Sequence, residues 1–531
     1  MFDILIINGT LADGRKDVLY KADIGIKDDR IVFVGDGKGY EAKRIIDAAA
    51  LIVSPGFVNM HSHDDLVAIA DPKVPYAIMQ GVTTNVIGMC GIGPAPFEPS
   101  KAKDWENWAG KFLCDDELPW TWKSYGDFLD RVEAAEPAIN LVGMTTHGAI
   151  RSAVMGLEDR LPTTEELCAM QNLLAESLDQ GARGISTGLI YVPNVYSDTH
   201  ELIEMCKIAG KKGGQIVPHI RNMGATMDKA VDEFIHIAEQ AEVDLHISHL
   251  NVIGKTNWPI LNKVFESIDK GCAKGITITY DTHTYTGVSS MMNILLPPWA
   301  NAGGREVVND RLKDLEVRKK IKKDYERNFN GEIVGWEFSA KFADWPQISI
   351  AGLSNENYKM YIGKNLAEIG EDMGCDPYDA AMNLMMEDPG TINIAVEDGY
   401  SIENVREGLR RGALVGADGI PAGAAPHPRL YGTMGRYFEE FVRKEALLTL
   451  PKAVSRITRE ACELLKLQNR GVLQEDYYAD ITMFDINSIH DNATDANPRQ
   501  HPTGIRYVIV NGKLTVDDCK QLETRNGVVF R

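Results

Sequence analysis

The chain has 531 residues, 44% hydrophobic and 25% charged, a balance ordinary for a globular protein and long enough for a barrel of roughly 250 residues plus additional structure. Its 56 Lys and Arg against 76 Asp and Glu give a net charge of −20, which argues against nucleic acid and anionic membrane surfaces as partners. No run approaches the ~20 apolar residues of a membrane span, "MFDILIINGT" lacks a signal-peptide pattern, and the eight scattered cysteines form no CxxC pair, so a reduced, cytoplasmic protein is expected.

In chain order, the first fifty residues read as short strands between Gly and Asp turns: "FDILIING", "ADIGIKDD", "RIVFVGDG" and "RIIDAAA". The C-terminal end is similar, with "DITMFDIN", "IRYVIVNGKLTVDD" and "NGVVF". The middle alternates strand and helix. Apolar or β-branched runs occur at "IVSPGFVNM", "VTTNVIGMC", "INLVGMTTH", "RGISTGLIY", "GQIVPHIR", "DLHISHL", "GITITYDTH" and "ALVGADG". Helix signals separate several of them. Thr163 and Glu166 form a capping-box pattern closed by Gly181, and Asp198 with Glu201 repeats that logic before Lys211 and Lys212. Eight buried strands with helical crossovers predict an α/β fold, a closed (β/α)8 TIM barrel. A doubly wound open sheet is disfavoured because no GxGxxG turn follows the early strands. One interval breaks the rhythm: residues 287–345 are too long for a loop and are expected to form an insertion near the barrel mouth.

Chemistry in such a barrel sits at the C-terminal ends of the strands. The first strand ends in "NMHSHDD", where His61 and His63 share a face by the two-residue alternation of a strand. The next strands end in Cys90, His147, His219 and His249, with Asp281 on the seventh and Asp418 at the end of the eighth. Imidazole, thiolate and carboxylate donors gathered on one rim suit a zinc-type cation. His246, three residues before His249, is expected to face away from the mouth. His236, His490 and His501 read as surface residues.

Taken together, "PGFVNMHSHDD", "GVTTNVIGMCG", "HGAIR", "GARGISTGLIYVPN", "PHIRNMG", "HISHL" and "GADG…HPRLYGT" make the chain resemble, over nearly its full length, the amidohydrolase superfamily and within it the N-acyl-D-amino-acid deacylases. The resemblance implies a metal-dependent catalytic barrel over 55–464 and a small β-sandwich domain built from 1–54 and 465–531. It makes His61, His63, Cys90, His219, His249 and Asp418 the metal ligands. Many superfamily members bridge two metals with a carboxylated lysine on strand four. Here Ser186 and Thr187 stand there, and Cys90 matches the strand-two cysteine of the deacylase branch. One firmly bound Zn2+ is therefore expected, with a second divalent position left open. Asp418 is the expected general base and acid. Arg429 matches an arginine that meets the substrate carboxylate, and Tyr191 matches a site tyrosine; Tyr285, His147 and Asn251 complete the expected substrate-facing set. Asn251 departs from the family, which usually carries lysine there, and His283 stands where an aromatic is more usual.

These readings point to zinc-dependent hydrolysis of a small-molecule amide, an N-acyl-D-amino acid. The alternative is opening of a cyclic amide of the hydantoin or dihydropyrimidine type at the same centre. A non-catalytic scaffold on this barrel is disfavoured because the full ligand set is retained. Assembly into a homo-oligomer stays open.

Overall fold

The structure is a computed structural model that describes residues 1–329, 336, 343–388 and 392–531. Eight parallel strands make the barrel: β1 (Phe57–Asn59), β2 (Val82–Ile87), β3 (Asn140–Gly143), β4 (Gly184–Gly188), β5 (Gln215–His219), β6 (Asp244–Ile247), β7 (Ile278–Thr282) and β8 (Leu414–Val415). Each lies within a run read as a strand from its apolar and β-branched content. Most are buried throughout, as strands sandwiched between a barrel interior and outer helices must be. The chain β1–β2–β3 pairs in parallel, with Val58 opposite Thr84 and Val86 opposite Val142. A short continuation of β3, Thr145–Thr146, carries the pairing to β4, and β4 through β8 follow in order. Closure comes from Met60 N–H donating to Val415 O (3.1 Å) and Asp418 N–H donating to His61 O (2.9 Å).

Helices cross between the strands where caps and amphipathic spacing call for them. The helix Thr164–Asp179 begins at the expected capping box: Thr163 Oγ accepts from Glu166 N–H, and Glu166 returns to Thr163 N–H at 2.8 Å. Below the site, Val58, Val86, Val142, Val217 and Leu414 pack with Cys462 and Leu465 of the C-terminal helical segment into a compact apolar cluster. Removing such side chains from water supplies the main favourable term of folding.

Both chain ends do contribute to β-sheets outside the barrel. A four-stranded sheet contains Phe2–Ile7, Asp23–Lys27, Arg30–Gly35 and Ala42–Asp47. A seven-stranded sheet joins Ile52–Pro55 and other early strands to Ile481–Phe484, Ile505–Val510 and Lys513–Asp517. Ile4, Ile24, Ile26, Val53, Ile481 and Ile509 meet in one buried core, so the termini fold on each other.

After β7 the chain leaves the barrel. The strands Val288–Met291, Ile348–Gly352 and Asn393–Val396 form an antiparallel sheet, accompanied by the helices Gly304–Lys313, Leu315–Phe329, Leu366–Met373 and Pro377–Glu387. These extra elements run well beyond residue 345, because the strand that pairs with both others arrives only at Asn393. Residues 330–335 and 337–342 of the expected insertion lie outside the described residues. No helix among the described residues is long and apolar enough to cross a membrane.

Candidate metal centre

β1 ends at Asn59, and His61 and His63 follow it. Asn59 Oδ1 accepts from Ala417 N–H (2.7 Å), which ties the end of β1 to the end of β8 and sets His61 beside Asp418. Cys90 is presented by a tight turn after β2 in which Gly88, Cys90 and Gly91 all have positive φ (74°, 54° and 68°). Ser186 of β4 holds that turn from across the barrel. Its Oγ accepts from Gly91 N–H at 3.0 Å and donates to Gly88 O. Gly188 must be glycine, since a Cβ there would come within 2.1 Å of Cys90 O.

The side chains converge. Cys90 Sγ is 3.3 Å from His61 Nε2, 3.3 Å from His249 Nε2 and 3.8 Å from His219 Nδ1. Asp418 Oδ1 lies 3.3 Å from both His61 Nε2 and His63 Nε2. The ligand atoms of His61, Cys90, His249 and Asp418 all fall within 4.8 Å of one another, and all four residues are buried. One thiol, two imidazoles and a carboxylate at this spacing fit a divalent zinc-type cation in a four-coordinate site. His219 lies beside Cys90 and His63 beside Asp418, while His61 stands with Cys90 as well as with its HxH partner.

The electrostatics agree with that fit at the flanking histidines, while at His61 burial is outweighed by Cys90, Asp418 and Asp281, which hold the ring well above the usual imidazole range, so a bound cation has to displace a proton there. Burial lowers His219 to about 3 and His63 to about 4, so both rings are neutral near pH 7, the form that ligates a metal. Burial pushes the Cys90 thiol up to about 11 against the pull of His61, a preference that a bound divalent cation reverses. Burial also opposes the charge on Asp418, yet Arg429, His61 and His63 hold its carboxyl well below the usual range. Arg429 Nη2 is 3.0 Å from Asp418 Oδ2.

Asp281, read from the sequence only as a rim donor, braces the site from behind. Its Oδ1 accepts from His249 N–H (2.9 Å) and lies 3.6 Å from His61 Nδ1, while its Oδ2 pairs with His246 Nε2 (3.1 Å). Carboxylates behind imidazole ligands fix ring orientation. His249 lies beyond Ile247, the last residue of β6, with φ 34°. The turn after β6, not strand alternation, therefore aims its ring, while His246 stays buried against Asp281.

The substrate-facing candidates separate. Tyr191 lines the cavity at the centre, its ring 5.4 Å from His219 and its hydroxyl 3.2 Å from Ser290 Oγ. Arg429 is fully buried, and its Nε and Nη1 make no hydrogen bond among the described residues. The other three are drawn elsewhere. Tyr285 donates to Asp491, from the C-terminal segment, with its ring against His427. His147 Nε2 pairs with Glu201 Oε1 (2.8 Å) and its Nδ1 with Thr187 Oγ1 (3.0 Å). Asn251 Nδ2 donates to Thr282 Oγ1 (3.0 Å). Glu201, read as part of a helix start, instead turns inward to hold His147 and the buried Arg151. His283 is buried with neither ring nitrogen hydrogen-bonded among the described residues, 5.0 Å from the ring of Tyr400.

Comparison with known proteins places this geometry in context. The model of the "Amidohydrolase family" matches residues 44–198 and 366–516. The chain is 31% identical over 512 residues to the N-acyl-D-glutamate deacylase of Alcaligenes xylosoxydans xylosoxydans, covering 96% of this chain and 93% of the relative. A crystal structure of N-acyl-D-glutamate deacylase from Bordetella bronchiseptica, complexed with zinc and a phosphonate mimic of the tetrahedral intermediate, superposes with TM-score 0.84 at 27% identity, covering 100% of this chain and 99% of that one. A D-aminoacylase structure, from work on one-metal activation and second-metal attenuation of its binuclear centre, gives TM-score 0.84 at 29% identity with 100% of both chains covered. Motifs, barrel and buried donor set agree, and the chain belongs to the amidohydrolase family.

Proposed function

We propose that the protein is a zinc-dependent deacylase of N-acyl-D-amino acids, releasing a carboxylic acid and the free amino acid. The observation that carries this reading is the buried donor set: His61, Cys90, His249 and Asp418 with ligand atoms within 4.8 Å, and Arg429 against the same aspartate. The deacylase and D-aminoacylase relatives support the substrate class.

When bound, zinc supplies a Lewis acid that acidifies water and polarises an amide carbonyl. His61, Cys90, His249 and Asp418 would hold it, with His219 and His63 beside them and open to a second ion. Asp418 takes the proton of the attacking water and returns it to the departing nitrogen, since an amine leaves poorly unless protonated. Arg429, on the other oxygen of Asp418, keeps that carboxylate ionised. Its Nη1, which has no hydrogen-bond partner among the described residues, is the donor offered to the substrate carboxylate. Tyr191 packs the cavity wall over His219 and positions the amide.

The test is Asp418→Asn in zinc-loaded protein, followed by amine release from N-acetyl-D-amino acids. Turnover is expected to fall at least 100-fold, the loss of a general base, while the fold and a bound metal ion persist. Near-normal turnover in this variant removes Asp418 from its role. Turnover of hydantoins but of no linear N-acyl-D-amino acid favours the cyclic-amide alternative.

A further inference from the structure

A second cavity lies against the catalytic one and belongs to none of the chemistry above. Its volume is about 120 Å³, against about 30 Å³ at the metal centre. Three segments wall both. The helix Lys103–Leu113 sends Phe112 to the catalytic cavity and Trp108, one turn earlier, to the second. The stretch after β4 gives Tyr191 to the first and Val192 to the second. The run after the strand Val288–Met291 gives Ile294 to the first and Met292 to the second. The partition is an aromatic pair, Trp108 and Tyr191, with ring centroids 6.2 Å apart.

Beyond that pair the exposed wall area is mainly apolar, from Leu157, Leu296, Val308, Met385 and Ile392, with Asn293, Asn301, Arg305 and Asn309 set among them. Exposed Asp104 and Asn107 mark the side that meets solvent. The elements inserted after β7 enclose, with the Lys103–Leu113 helix, a space of the order that holds one small hydrocarbon.

We infer that this cavity is a second substrate subsite, taking an unbranched apolar arm of the molecule whose amide is cut at the metal centre. The inference rests on the deacylase reading. The catalytic cavity is a quarter of the size, so the longer arm of a substrate reaches past Trp108 and Tyr191 into a space lined mainly by apolar side chains. Each methylene buried there raises kcat/KM about fourfold. The arm is the acyl chain or the amino-acid side chain, which present the same chemistry.

Two substrate series tell these apart. One extends the acyl group from N-acetyl- to N-octanoyl-D-alanine; the other extends the side chain from N-acetyl-D-alanine to N-acetyl-D-2-aminodecanoate. With zinc-loaded protein, one series is expected to climb at least tenfold in kcat/KM before it levels. Val308→Trp and Met385→Trp, which fill the cavity from two different helices, are expected to cut that climb below threefold. Two flat series on the wild-type protein overturn the subsite even where neither variant folds, and so does a climb that survives in both variants. Turnover of the acetyl compounds with no climb leaves the deacylase reading standing. No turnover of any member overturns that reading and the subsite with it.

Discussion

Ser186, which with Thr187 stands where many superfamily members carry a bridging lysine, has hydrogen bonds that assign it a different task. Ser186→Ala removes the acceptor for Gly91 N–H and the donor to Gly88 O in one step. Ser186 is fully buried, so no water replaces the lost hydroxyl without rearrangement. A buried polar group left without a partner costs about 1–3 kcal/mol, and two of them set the loss of stability at about 2–6 kcal/mol. The turn they hold keeps Cys90 in a left-handed conformation that a non-glycine residue adopts at a cost, so the released turn relaxes and draws Sγ away from His61 and His249. Support residues of this kind are worth about 10- to 100-fold in metal affinity. The assay is competition for zinc against a chromophoric chelator, alongside urea unfolding of the metal-free protein. The expected result is weaker zinc binding by that factor together with a lower urea midpoint. Wild-type zinc affinity in a folded Ser186→Ala protein refutes the reasoning, because Cys90 would then be aimed without the clamp.

Other perturbations probe separate parts of the account. Glu201→Gln leaves Arg151 buried without its counter-charge, and a loss of about 3 kcal/mol is expected from the urea midpoint; a loss below 1 kcal/mol would show that the pair is not a structural bracket. Burial raises the Glu439 carboxyl, but the N–H of Asp491 with His490 and Lys444 outweighs it and holds the group down to about 2. Its folded pKa is thus below the unfolded value of about 4.3, so its contribution is complete above about pH 4.5 and is lost as pH falls toward 2. Glu439→Gln is expected to flatten that part of the acid limb in a stability-against-pH series, and an unchanged limb contradicts the assignment.

Much of the site was legible in the sequence because barrel geometry ties chemistry to strand ends. His61, Cys90, His219, His249 and Asp418 each follow or end a run whose apolar content marks a strand, and the fold brings those ends together. What escaped depends on where a side chain turns after the strand stops. Tyr285, His147 and Asn251 sit at plausible positions, yet each is claimed by a partner distant in sequence: Asp491, Glu201 and Thr282. Glu201 fits a helix start equally well on paper, and only the buried His147 and Arg151 explain why it faces inward. The extra elements after β7 were visible as an interval too long for a loop. Their sheet was not, because Val288–Met291 and Ile348–Gly352 are joined through a strand, Asn393–Val396, that arrives only later in the chain. Ser186 was legible only as the absence of a lysine, since hydrogen bonds to a turn nearly a hundred residues earlier leave no local pattern.

The central claim is that a thiolate from β2 shares a cation with imidazoles that follow β1 and β6. X-ray absorption at the zinc edge of protein loaded with one equivalent tests it directly. One sulfur neighbour at about 2.3 Å and imidazole nitrogens at about 2.0–2.1 Å are expected, with the sulfur shell lost in Cys90→Ser. A zinc spectrum with no sulfur shell in the wild-type protein contradicts it.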